Sequence, residues 1–173
     1  MSPELNSLFV KPDEKRFEDA YFDGQVPEFL GIDWREPDDE IIEACAECLQ
    51  LDSLHAVWNG DRLYISFWGQ QSRVPLLEDA GDRHITICRL NDVMEGKYQL
   101  RMIVVSHGSD TIGLAVLPVE EWTYWESTSR QLVEENFIDP RLLPNVITDL
   151  TDTDLPIPAR ARYLRMVNRS MKR

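Results

Sequence analysis

The chain has 173 residues, 43% apolar and 28% charged, with 18 basic against 31 acidic side chains and a net charge of −13. This is ordinary composition for a folded domain, and the length favours one domain with a sizeable core. No apolar run approaches the ~20 residues that span a bilayer, Met1–Glu4 lacks the basic and apolar parts of a signal peptide, and so acidic a body repels double-stranded nucleic acid and anionic membrane.

Three cysteines in an otherwise unstapled chain point to a reducing compartment. The expectation is therefore a cytoplasmic protein, bacterial or viral in source. The charge is unevenly spread. Residues 155–173 hold six basic side chains and no acidic one, so the remainder carries 12 basic against 31 acidic residues.

Residues 1–27 form an N-terminal arm rich in charge, with Phe9, Phe17, Tyr21 and Phe22 scattered through it. A short helix over Asp13 to Phe22 would turn Phe17, Ala20 and Tyr21 inward, and the aromatics predict an arm packed on the body. The clearest helix opens at Pro37-Asp38-Asp39-Glu40 and covers 38–50, because proline and acids suit a helix N-terminus. Ile41, Ile42, Cys45, Cys48 and Leu49 make its apolar stripe. Glu36, Glu40, Glu43 and Glu47 line the other side, with no Lys or Arg between Arg35 and Arg62.

Residues 54–117 read as an antiparallel sheet of about five strands, joined by short turns. Leu54–Trp58 and Arg62–Trp68 flank Asn59-Gly60-Asp61, the strongest hairpin signal in the chain. Residues 73–77 suggest an edge piece, since Pro75 lacks a ladder donor. A third strand is expected over His84 to Leu90, entered through the turn Glu78 to Asp82. Tyr98 to Ser106 is apolar on both faces and should be central, covered on both sides. Thr111 to Leu117 returns. A second helix over 119–137 carries Trp122, Trp125, Leu132, Val133 and Phe137 inward, with a polar gap at Ser129.

Residues 139–158 form a wrapping loop anchored by Leu142, Leu143, Val146, Ile147 and Leu150. The basic tail, 159–173, sets Arg162, Arg165 and Arg169 at helical steps. Glu40, Glu43 and Glu47 show the same spacing. The two faces are expected to pair, within one chain or across a homodimer. The fold class is α+β, one domain with the sheet packed by the two helices.

Chemistry is sparse. Cys45-Ala46-Glu47-Cys48 lies inside a helix, where a redox pair needs a helix N-terminus. Structural zinc would need Cys88 and His84 to join that pair. On a strand, His84 and Cys88 stand about 13 Å apart and cannot act as nucleophile and base. Ser106-His107-Gly108-Ser109-Asp110 holds triad residue types but reads as one tight turn. Asp149, Asp152 and Asp154 lack calcium-loop spacing, and no phosphate-binding glycine motif is present. No catalytic residue, metal or cofactor is assigned.

The resulting expectation is a small non-catalytic protein that captures a basic protein partner: an inhibitor or immunity-type protein, a secretion-type chaperone or an adaptor. Its contact candidates are Glu36, Glu40, Glu43, Glu47, Asp13, Glu14, Glu18 and Asp19. The alternatives are an enzyme whose carboxylates or Cys/His pair converge in three dimensions, and a zinc-stabilised module.

Overall fold

The computed structural model describes residues 2–11, 13–33, 35–77 and 82–171. Its order is α1 (Pro3–Val10), α2 (Glu14–Phe22), β1 (Phe29–Asp33), α3 (Asp38–Leu49), β2 (Leu54–Asn59), β3 (Arg62–Phe67), β4 (Gln70–Arg73) and α4 (Asp82–Val93). β5 (Tyr98–Ile103), β6 (Thr111–Pro118), α5 (Val119–Thr128), α6 (Arg130–Asn136), β7 (Phe137–Ile138) and α7 (Ile157–Ser170) complete it. The class is α+β with antiparallel sheets. The strands form two sheets, however: β1-β6-β5-β7 and β2-β3-β4.

The four-stranded sheet is the organising layer. Alternation along β5 and β6 sends Leu100, Met102, Leu114 and Val116 to one face, packed with residues of α3, α4 and the small sheet. Ile103, Ala115 and Leu117 face the other way, against α1, α2, α5 and α6. A strand apolar on both sides is thus covered on both sides, as its composition demands.

The expected strand over His84 to Leu90 is instead α4. Asp82, Thr86, Ile87, Leu90 and Asn91 are buried along it, and Met94 just beyond. Those positions recur at steps of three and four, so the longer amphipathic period overrides the β-branched run Ile85-Thr86-Ile87. Buried Asn91 fixes α4 to β5, its amide donating to the Leu100 carbonyl at 2.9 Å and accepting the Leu100 N–H at 2.7 Å. The turn expected over Glu78 to Asp82 lies, except for Asp82, outside the described residues.

Three further boundaries shift for local reasons. β1 comes from Phe29-Leu30-Gly31-Ile32-Asp33, too short to stand out, and pairs with β6 throughout. The first hairpin turns at Gly60-Asp61, with Asn59 still paired to Arg62. The next turns at Trp68-Gly69, both at positive φ (50° and 77°), so the edge strand is Gln70–Arg73 and ends before Pro75. The Trp68 ring is held between the Phe67 ring, 4.5 Å away, and the Lys97 ammonium, 5.0 Å away.

The helix expected over 119–137 breaks at Ser129, whose φ of −141° leaves the helical region. Its two halves still bury Trp122, Trp125 and Val133. In the loop after it, Leu143 and Val146 are buried as anchors, whereas Leu142 is exposed. Gly113 on β6 exists because Tyr21 of α2 lies across it: a Cβ there would stand 2.4 Å from the ring. Gly113→Ala is expected to cost about 1–3 kcal/mol by overpacking. Truncating Tyr21 to Ala in the same chain should recover part of that loss, and thermal denaturation of the two single variants and the double variant checks it.

Candidate functional site

Three groupings of charged or reactive side chains stand out, and they differ in how far their chemistry is already satisfied. The first is the tail. The tail is helical as α7, opened by Pro156 and Pro158 around Ile157. Its partner is not the acidic side of α3 but α2, with help from α6. Arg162 is fully buried. It donates to the Glu18 carboxylate at 2.8 Å, the Glu14 carbonyl at 2.9 Å and the Asn136 side-chain oxygen at 3.2 Å. Arg165 donates to Glu14 at 2.7 Å and to Glu135 at 3.1 Å. Arg169 pairs with Glu14 and, at 2.5 Å, with Glu18. Every arginine proposed as a tail contact is therefore engaged within the chain.

Burial opposes ionisation of Glu14, but hydrogen bonds from Arg169 and Arg165 and the charge of Arg162 outweigh it, holding the carboxyl below its ordinary range. Asp13 and Asp19 belong to the same helix. Asp13 caps it by accepting the Arg16 N–H at 2.8 Å, and Asp19 pairs with Lys15.

The second grouping is the acidic side of α3. Glu36 accepts the Asp33 N–H at 3.1 Å, and Glu43 accepts the Ala56 N–H at 2.7 Å. Glu43 thereby closes one open amide on the free edge of β2. Glu40 and Glu47 are exposed, and among the described residues neither has a hydrogen bond or an ion pair. Asp38, at the start of the helix, is buried and accepts the Thr86 hydroxyl at 2.5 Å, with the Arg83 guanidinium 3.7 Å away. Burial raises its pKa, against the pull of Thr86 and Arg83.

The third grouping is the thiols and imidazoles. Cys45 is buried on the apolar side of α3 and its pKa is pushed up by that burial. Cys48 is also raised, to about 11, by burial and by the charge of Glu28. That is the opposite of a redox pair's requirement. Because α4 is a helix, His84 and Cys88 meet one turn apart, with Sγ 3.5 Å from Nε2. The separation expected for a strand is overturned, and the helical spacing of Ile87, Leu90 and Asn91 was the signal for it. The His84 Nδ1 accepts the Val146 N–H at 3.4 Å, which leaves the ring proton on Nε2. Burial lowers the His84 pKa and raises that of Cys88 to about 11. The resting pair is neutral imidazole and neutral thiol, not the imidazolium–thiolate of a nucleophile.

His107 is nearly buried, faces Asp152 at 3.1 Å and packs edge-on against Tyr163 of α7. Ser106 is turned away, its hydroxyl donating to the Ile103 carbonyl at 2.7 Å. The sequence neighbours of the turn therefore build no nucleophile–base pair. Among the described residues no group of three or more His, Cys, Asp and Glu side chains is placed to hold a metal ion, so the alternative of a zinc set in which His84 and Cys88 join Cys45 and Cys48 does not assemble. No described helix is long and apolar enough to cross a membrane. Comparison of the chain with protein-family models, curated proteins and solved structures finds no match.

Two outcomes follow from the tail. Arg162→Met should cost about 3–5 kcal/mol, because it strands buried partners. Arg169→Met, at a half-exposed pair, should cost within about 1 kcal/mol. Urea denaturation separates the two. The Glu14 contribution has a definite sign with pH. Its folded pKa lies below the ordinary value of 4.5, so the stabilisation is complete above that value and is lost as pH falls through the lowered one. Glu14→Gln should flatten the acid limb of the stability–pH curve, as measured by denaturation at a series of pH values.

Proposed function

We propose that the protein is a non-catalytic binding protein that uses the exposed face of α3 to hold a basic protein partner. The reading rests on one observation. The cations of the tail are spent on Glu14, Glu18 and Glu135, while Glu40 and Glu47 keep their charge without a counterpart among the described residues. Exposed like charges one or two turns apart cost little in stability, and they raise the rate at which an oppositely charged surface is captured. Exposed Trp58 belongs to β2, the strand that packs beside α3, and aromatic side chains are favoured at interfaces.

The proposed partner is a protein with clustered Lys or Arg, met in a reducing cytoplasmic compartment, where the three free thiols are stable. Self-association through the tail has less support, since the guanidinium groups it would offer already have partners. An inhibitor or immunity-type role, a chaperone role and an adaptor role all use such a face, and each predicts the same first experiment. The immobilised full chain should retain a basic protein at low salt, with a yield that falls as ionic strength rises. Glu40→Lys combined with Glu47→Lys should weaken retention about tenfold or more while changing stability by no more than about 0.5 kcal/mol. Retention of no basic protein, or equal retention by the variant, would refute the reading.

A further inference from the structure

The His84–Cys88 pair, joined at rest by the Nε2–H···Sγ hydrogen bond, has a spacing that also suits a second role. Zinc-type ions bind thiolate sulfur at about 2.3 Å and imidazole nitrogen at about 2.0–2.1 Å, so two such ligands on one tetrahedral ion stand about 3.5 Å apart. The observed Sγ···Nε2 separation is 3.5 Å. The two side chains project from successive turns of α4, which fixes their spacing through the backbone. Both are partly exposed and line an open cavity of about 520 Å³, with Asp92 one further turn along the same face. Nitrogen and sulfur donors select borderline and soft ions over magnesium or calcium.

We propose that His84 and Cys88 form a two-point clamp for a tetrahedral thiophilic divalent ion, zinc or cobalt(II), with water or a partner's side chain filling the remaining positions. Binding replaces the thiol proton by the metal and releases one proton to solvent. In His84 the ring proton moves from Nε2 to Nδ1, and the long 3.4 Å contact from the Val146 N–H is given up. Arg73 and Arg89 border the same cavity and oppose a cation, so the site is weak by comparison with closed four-ligand zinc sites. It is separate from the acidic face of α3 and holds whether or not that face binds a protein.

Titration of the reduced full chain with cobalt(II) chloride provides the test. The expected result is one near-ultraviolet thiolate-to-cobalt band that saturates at one equivalent and is displaced by zinc. Where the His84 imidazole is already neutral and the Cys88 thiol still protonated, affinity should rise about tenfold per pH unit, because each ion displaces one proton. Cys88→Ser should abolish the band, His84→Gln should weaken affinity about tenfold or more, and Cys45→Ser with Cys48→Ser should leave it unchanged. Cobalt should also slow alkylation of Cys88 in the unmodified chain, a readout that needs no variant to fold. The clamp is overturned if no band forms at millimolar cobalt, if the band survives Cys88→Ser, if His84→Gln leaves affinity unchanged, or if it is lost with Cys45 and Cys48 instead.

Discussion

Burial of the Arg162 guanidinium is the constraint that shapes this molecule. A buried charge is tolerated only where charge and hydrogen-bonding capacity are met. Here they are met by Glu18, by the Glu14 carbonyl and by Asn136, drawn from α2 and α6. The two ends of the chain are thereby tied together through more than 140 residues of separation. Around that centre, Arg165 and Arg169 add exposed pairs that are individually weak and screened by salt. The centre supplies the geometric demand and the rim supplies register, so the tail helix has one seat on the body.

That seat also decides how the charge of the molecule is distributed. A basic tail and an acidic body suggest mutual neutralisation, but spacing alone does not say which acids are chosen. Glu14 and Glu18 share the helical spacing of Glu43 and Glu47. What distinguishes them is what lies beneath. α2 sits over the aromatic side of the four-stranded sheet, where Phe17 packs against Phe29 and Phe137. Met166 of α7 joins that same cluster. Apolar burial positions the two helices, and the ion pairs follow. α3 packs on the opposite face of the four-stranded sheet, and Glu40 and Glu47 stay exposed to water.

Much of the fold was legible where one period dominated. The β5 sequence, apolar on both faces, announced a central strand, and β6 its partner. Pro37 followed by three acids announced α3. Legibility failed where the deciding partner was distant. β1 is five residues without a strong pattern, and it exists because the edge of β6 is there to receive it. The division into two sheets depends on α4 entering where a strand was expected. The buried status of Arg162 had a weak local signal, its place three residues after Ala159 and four before Met166 on an amphipathic helix. Nothing in one sequence names Asn136 as its acceptor.

The same misreading of period governs the chemistry. As alternating residues on a strand, His84 and Cys88 are held far apart by backbone geometry, and no reactivity can be assigned to them together. As i and i+4 on a helix they are brought into contact by that same geometry. The choice between periods rested on Ile85, Thr86 and Ile87, whose β-branching favours a strand. Ile87, Leu90, Asn91 and Met94 favour a helix, because four buried positions on one face outweigh the small propensity cost of three residues. A site carried by one element is thus only as legible as that element's period. A site assembled from several, such as the ring of partners around Arg162, becomes legible only once the packing of the apolar faces is known.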